Sequence, residues 1–313
     1  MLSRLIQKSS KIVPTFIKRK IAFKYIAGEK LRDAIDVSRN LNKIGVCTTI
    51  DTLGEFESEP TNYITNRQKS EDALMEISKA NLDSNLSVKL TNYGLGVDNN
   101  ICYSHISHLL RYAEDKNIFI WLDMENSPFT CDTINIYKRI RDNGFLNVGI
   151  AFQACLLRTQ KDIETLSEYK PIVRLCKGVY KELALKEMNI NIAYNSEIEI
   201  EKNYIRLMNL LFNLGCYVGI ATHHDGLIFE SKEIIRKRGL VSGVHYEFQM
   251  LNGVKENLRN RLINEGHRVL VYVPYGEKWD GYTSRRMQEN PDIAKHVFKV
   301  FFYSLFNWKK FLN

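Results

Sequence analysis

The stretch IEKNYIRLMNLLFNLGCYVGIATH (residues 200–223) holds a helix, a stop and a strand in succession. Tyr204, Leu207, Met208, Leu211 and Phe212 fall at i, i+3, i+4, i+7 and i+8, the apolar stripe of a 3.6-residue helix. Gly215 follows the stripe and reads as its C-terminal cap, because glycine enters the left-handed conformation that ends helices. YVGIATH (217–223) is then a short apolar and β-branched run, which predicts a buried strand. A helix that delivers the chain to another strand is the crossover that parallel pairing requires.

The same unit recurs outward from this stretch. Strand-like runs appear at GVCTTID (45–51), LSVKL (86–90), IFIWLDM (118–124), VGIAFQ (148–153) and PIVRLCK (171–177). Two more follow it, VHYEFQM (244–250) and RVLVYVP (268–274), and helical patterns such as SEDALMEISKANL (70–82) fill the intervals. Eight alternating units in a chain of this length predict an α/β fold closed as a (βα)8 TIM-like barrel. An open doubly wound sheet would want a Gly-rich phosphate turn after an early strand, and YGLGVDNN (93–100) is only a fragment of one.

No Pro- or Ser-rich junction interrupts the 313 residues, so a single domain is expected over 1–313. The charge of +8 is uneven: Met1 to Gly28 carries seven Lys or Arg and no acid. Residues 1–24 read as a basic N-terminal helical segment, broken by Pro14, that caps the domain or meets a membrane surface. VFKVFFYSLFNWKKFLN (297–313) reads as a C-terminal helix packed on the barrel, with membrane contact the second reading. No apolar run approaches the roughly 20 residues that cross a bilayer. The six cysteines form no Cys-x-x-Cys and lie mostly in apolar contexts, which points to buried thiols of an intracellular protein and away from zinc. A nucleic-acid protein would interleave its basic residues with aromatics on an exposed face, and here the polar motifs sit at strand ends instead.

Barrels place their working groups at the C-terminal ends of the strands. Asp51 and Glu55, Lys89, Asp123 and Glu125, Gln153, Arg174 and Lys177 fall in or just after the first five runs. His223, His224 and Asp225, then Glu247 and Gln249, then Tyr272 and Tyr275, fall in or just after the last three. Lys89, Arg174, Lys177, Arg285 and Arg286 outnumber the local acids, which predicts an anionic ligand. On a helix Tyr282, Arg285, Arg286 and Glu289 share one face, so both arginines can point into the mouth. Tyr272, Tyr275, Trp279 and Tyr282 offer walls for a ring-sized pocket.

Three chemistries compete at such a mouth. Lys177 or Lys89 could form a Schiff base, as in an aldolase-like lyase acting on a small carboxylate. His223, His224 and Asp225 could hold a metal, but neighbouring strand residues point to opposite faces, so no metal site is expected. A dianionic flavin dinucleotide could occupy the cationic floor beneath a small carboxylate. The residue pattern leaves the first and third open.

At these residues the sequence resembles the proline dehydrogenase family. The resemblance runs in order through IDTLGEF (50–56), LSVKLTNYGL (86–95), WLDMEN (121–126), VRLCKGVYKE (173–182), IATHHD (220–225), YEFQMLNG (246–253) and VYVPYGEKWDGYTSRR (271–286). It implies a distorted (βα)8 barrel carrying FAD, which oxidises L-proline to Δ1-pyrroline-5-carboxylate and passes electrons to quinone. By resemblance Arg285, Arg286 and Lys89 clamp the substrate carboxylate, Tyr272, Tyr282 and more weakly Tyr180 wall its ring, and Asp123 and Arg174 are the catalytic pair. Gln153, Lys177, Gly178, Val179, Thr222 and His223 match cofactor-contacting positions, with Leu122 near the ring, and Glu55 resembles a gate that pairs with Arg285. Val179 stands where some relatives carry alanine, and THHD replaces a THD or THN, which bears on the choice of His223 over His224. The expected place is the cytoplasm, with peripheral contact on the inner face of a bacterial membrane; the short extent before YIAGE favours that over a mitochondrial import segment.

Overall fold

The computed structural model describes residues 19, 22–178 and 192–282. Eight parallel strands close into one barrel in sequence order: β1 (Cys47–Thr52), β2 (Ser84–Val88), β3 (Ile120–Leu122), β4 (Val148–Gln153), β5 (Ile172–Cys176), β6 (Val218–Ala221), β7 (Tyr246–Leu251) and β8 (Val269–Tyr275). All eight expected runs overlap a strand, with β2 beginning two residues earlier than expected. β1 closes the ring on β8 over six register pairs, from Cys47 opposite Leu270 to Thr52 opposite Tyr275. The expected third run is longer than its strand, because Asp123 and Met124 already belong to the loop that leaves the barrel.

The helix α1 (Leu31–Asn42) precedes β1, and α2 (Pro60–Lys79), α3 (Asn99–Glu114), α4 (Thr130–Asp142), α5 (Thr159–Glu164), α6 (Glu197–Asn213), α7 (Asp225–Arg238) and α8 (Glu256–Asn264) lie between the strands in sequence. The opening stretch shows how local chemistry sets their limits. Ser196 and Glu199 form a reciprocal capping box at the start of α6, satisfying donors that the first turn leaves unpaired. At its end Gly215 takes φ +71°, so its N–H reaches Phe212 O at 3.1 Å and the Cys216 N–H reaches Leu211 O at 3.0 Å. That double bond is the Schellman stop, one residue beyond the cap.

The strands are buried on both faces, but the two faces differ in chemistry. Ile50, Leu86, Val88, Ile120, Leu122, Ile150, Phe152, Val173, Leu175, Ile220 and Phe248 are almost wholly buried in one core with the stripes of the helices. Each such side chain stabilises the fold by about 1.5–3 kcal/mol through lost apolar surface. The alternate residues, among them Asp51, Ser87, Arg174, Glu247 and Gln249, are also buried; the last four hydrogen-bond in a chain, and Asp51 accepts from Lys89. The strand period of two therefore separates a greasy outer core from a polar barrel interior.

Among the described residues no helix is long and apolar enough to cross a membrane. Cys47, Cys102, Cys155 and Cys216 are buried thiols, whereas Cys131 is exposed and receives a hydrogen bond from Arg158, unlike the buried thiols expected. Most of the basic segment 1–24 and all of the tail 297–313 lie outside the described residues.

Candidate active site

Six strands send one connected set of side chains into the upper barrel. Lys89 follows β2, and its Nζ donates to both carboxylate oxygens of Asp51 at 2.8 Å. It also lies 3.3 Å from the Tyr272 hydroxyl and 3.7 Å from Asp123 Oδ2. Asp123 follows β3 and accepts from Ser87 Oγ at 2.8 Å, Arg174 Nη1 at 2.5 Å and the Tyr272 hydroxyl at 2.8 Å. Arg174 Nη1 also donates to Ser87 Oγ, and its Nε donates to Gln249 Oε1 at 2.7 Å. Its guanidinium stacks 4.7 Å from the Trp121 ring centre and 5.4 Å from that of Tyr272. Arg174 Nη2 is buried with no hydrogen-bond partner among the described residues.

This arrangement decides the protonation states. Burial would raise the Asp123 carboxyl, but the Arg174 guanidinium and Lys89 outweigh it and hold the acid below its ordinary value. Burial would lower the Lys89 ammonium, but Asp51 and Asp123 overcome it and hold the amine protonated. The Tyr272 hydroxyl is pushed well up, by burial first and then by the negative charge of Asp123 and Asp51, so it stays a donor. Lys177 pairs with Glu197 and, at 3.1 Å, with Glu201, and these acids raise its amine against the effect of burial. Each lysine offered as a Schiff-base nucleophile is thus a paired ammonium. Of the five cations expected in excess, Lys89, Arg174 and Lys177 are each matched by a carboxylate, and Arg285 and Arg286 lie outside the described residues.

The remaining expected positions fall in several places. Gln153 ends β4, its Nε2 donates to Glu125 O at 3.0 Å, and it touches Gly178. Gly178 has φ +101°, and a Cβ there would sit 2.2 Å from Cys155 Sγ, so a side chain is excluded. Thr222 Oγ1 accepts from the His224 N–H, and His223 Nε2 accepts from the Leu251 N–H at 2.9 Å. His224 turns elsewhere, capping α7 at Leu227 and facing Glu201 at 3.3 Å. Leu122 is wholly buried on the helix-facing side of β3, away from the interior face that carries Trp121. Tyr282 is buried with Ala22, Ile26, Leu53 and Trp279 in a small separate cluster, so Trp279 braces the N-terminal segment. Glu247 lies toward the floor rather than the mouth, because it precedes Gln249 on β7 and pairs with Arg268 before β8. Val179, Tyr180, Arg285, Arg286 and Glu289 lie outside the described residues.

Glu55 stands between two pinned neighbours. Asn92 Nδ2 donates to Gly54 O at 2.9 Å, and the Phe56 N–H donates to Thr91 Oγ1 at 2.9 Å. Phe56 holds a left-handed φ of +58°, a strained state for an aromatic residue. Thr91 is fixed in turn by the buried Glu125, through its N–H at 3.0 Å and its hydroxyl at 2.5 Å. Burial pushes the Glu125 carboxyl up to about 7. Ser87, Thr91 and Trp121 are the members of this set that the sequence reading missed. Period-two alternation was the available signal, since Ser87 shares a strand face with Lys89 and Trp121 with Asp123.

Comparison with known proteins agrees with this architecture. The proline dehydrogenase family model matches residues 34–299. Proline dehydrogenase 2 of Bacillus subtilis is 32% identical over 290 residues, 93% of each chain. The proline dehydrogenase of Deinococcus radiodurans is 31% identical over 284 residues, 88% of each chain. Among solved structures, proline utilization A of Bdellovibrio bacteriovorus, inactivated by N-propargylglycine, superposes with a TM-score of 0.81 at 22% identity. That match covers 87% of this chain but 33% of the other, so the chain spans about a third of that protein and the likeness is one of fold. With the family model spanning the barrel from α1 past β8, the chain belongs to the proline dehydrogenase family.

Proposed function

We propose that this chain is a proline dehydrogenase that oxidises L-proline to Δ1-pyrroline-5-carboxylate with FAD, acting as one catalytic domain over 1–313. The family match across residues 34–299 carries this reading. The interior fits such a cofactor in two respects. Arg174 keeps a buried Nη2 with no partner among the described residues, a donor available to a bound group. Gly178 brings backbone where a side chain would collide with Cys155 and Gln153. Arg174, Gln153, Lys177, Gly178, Val179, Thr222 and His223 would hold the flavin, with Leu122 behind β3 as the most remote of the set. When bound, the flavin accepts the hydride.

The chain's own residues bind and orient. Lys89, with Arg285 and Arg286, takes the substrate carboxylate, while Tyr272 and Tyr282 wall the ring and Glu55 gates the mouth. Lys89 arrives charged and anchored by Asp51, so little reorganisation accompanies binding. Asp123 is ionised and already accepts three hydrogen bonds, so it holds Arg174 and Tyr272 in place rather than collecting a proton. Orientation is the main contribution, since transfer tolerates little misplacement. The Schiff-base alternative finds no support, because a nucleophilic amine must be neutral and both candidate lysines are paired ammonium groups.

Electrons would leave to a quinone, with the enzyme in the cytoplasm and touching the inner face of the membrane through its basic N-terminal segment and residues 297–313. The deciding experiment is spectroscopic. Purified protein should be yellow, or become so with FAD, and proline should bleach its flavin absorbance. Colourless protein that gains no activity with added FAD rejects the reading.

A further inference from the structure

We infer that Glu247 and Gln249, on the interior face of β7, are positioning residues for the Arg174 guanidinium, with Glu247 setting which end of the Gln249 amide faces it. Gln249 stands between two charges. Its Oε1 accepts from Arg174 Nε at 2.7 Å and its Nε2 donates to Glu247 Oε1 at 2.8 Å. A carboxylate only accepts and a guanidinium only donates, so one amide orientation satisfies both neighbours. The flipped amide would set N–H against N–H at Arg174 and oxygen against oxygen at Glu247. All three side chains are buried, so water cannot compensate for a wrong flip.

The far end of this chain is anchored at the barrel floor. Arg268 Nε lies 3.3 Å from Glu247 Oε2, and its Nη2 bonds Asp83 Oδ1 at 3.0 Å, ahead of β2. Glycine at 219 is a second, independent sign that this amide has a required place. β6 pairs Gly219 with Glu247, and a Cβ there would stand 2.4 Å from Gln249 Nε2 and 2.8 Å from its Cδ. Asp123 and Ser87 share one guanidinium nitrogen, Nη1, so without Gln249 the planar group can pivot about that corner. Gln249 supplies the second fixed point that sets the plane and, with it, the direction of the unpartnered Nη2.

This inference rests on the proposed flavin chemistry, and its test separates the two. Two readouts apply to the FAD-loaded enzyme: steady-state kinetics with proline, and the midpoint potential of bound flavin in a proline-free titration. Gln249→Met removes the acceptor, and Gly219→Ala displaces the amide without removing a charge or straining the backbone. Each should lower kcat about tenfold, as expected for losing one hydrogen bond to a charged group, with KM for proline within about twofold. Each should also make the potential more negative, because a loosened cation stabilises reduced flavin less. Gln249→Glu alone sets two carboxylates together and stays impaired; adding Glu247→Gln exchanges acid and amide and should restore both readouts. Wild-type kcat and potential in Gln249→Met and Gly219→Ala overturn the inference, as does an exchange that fails to recover over Gln249→Glu. Should Gln249→Met not fold, Gly219→Ala decides alone. Wild-type holoenzyme that proline cannot reduce counts against the oxidation reading, while the potentials of the variants still report on Arg174.

Discussion

Asp123 Oδ1 lies 2.5 Å from Arg174 Nη1, joining the end of β3 to β5 across the interior, past the strand that separates them. Arg174 is buried and Asp123 keeps only 14% of its side chain exposed, and the pair is flanked by Ser87, Tyr272 and Trp121, so little water reaches either charge. Removing one partner strands the other. Asp123→Asn should therefore destabilise the fold by about 3–5 kcal/mol, the usual cost of breaking a buried pair from one side. Urea unfolding measures it, and a midpoint equal to wild type would show that Arg174 does not depend on this acid.

Tyr272→Phe keeps the ring beside Arg174 and deletes only the hydroxyl shared by Asp123 and Lys89. A hydrogen bond to a charged group contributes about 1.5–3 kcal/mol, so kcat/KM for proline should fall at least tenfold. Unaltered kinetics would remove the hydroxyl from the site.

Glu125 makes stability depend on pH. Its carboxyl is raised by burial from an ordinary 4.5 to about 7, so the folded state holds a proton that the unfolded chain releases earlier. The associated stability is complete below about pH 4.5 and is lost as pH rises toward 7, by on the order of 3 kcal/mol. Glu125→Gln can keep an oxygen on the Thr91 N–H and should flatten this slope, gaining on wild type between pH 5 and pH 8. Parallel profiles of unfolding midpoint against pH would refute the assignment.

The carboxylate clamp predicts a binding defect at its arginines. Arg285→Met or Arg286→Met should raise KM for proline about a hundredfold, the loss of a charge-assisted contact of some 2–3 kcal/mol. An unchanged KM rules out that arginine as a carboxylate ligand.

Membrane contact is tested by co-sedimentation with anionic liposomes, comparing the whole chain with one lacking residues 297–313. Binding should drop on truncation. Equal binding, or none by either protein, excludes the tail as the anchor.

The fold was legible because its signals are local. The stripe on α6, the glycine behind it and the apolar run after it each follow from spacing along the chain, and eight repeats imply a closed barrel. Strand-end polarity likewise marked Lys89, Asp123 and Arg174 as candidates, and the barrel brings the three into one hydrogen-bonded and ion-paired set. What sequence could not supply was pairing: that Lys89 is spent on Asp51, Lys177 on Glu197 and Glu201, and Gln249 on Arg174 and Glu247. Apart from Glu247, which is two residues from Gln249 on the same strand, those partners lie 20 to 75 residues apart along the chain, and only the closed barrel with its packed helices brings them within hydrogen-bond reach. Residue type along the chain determined where charge collects; the closed sheet decided which charges neutralise one another and, among the described residues, left Arg174 Nη2 without a partner.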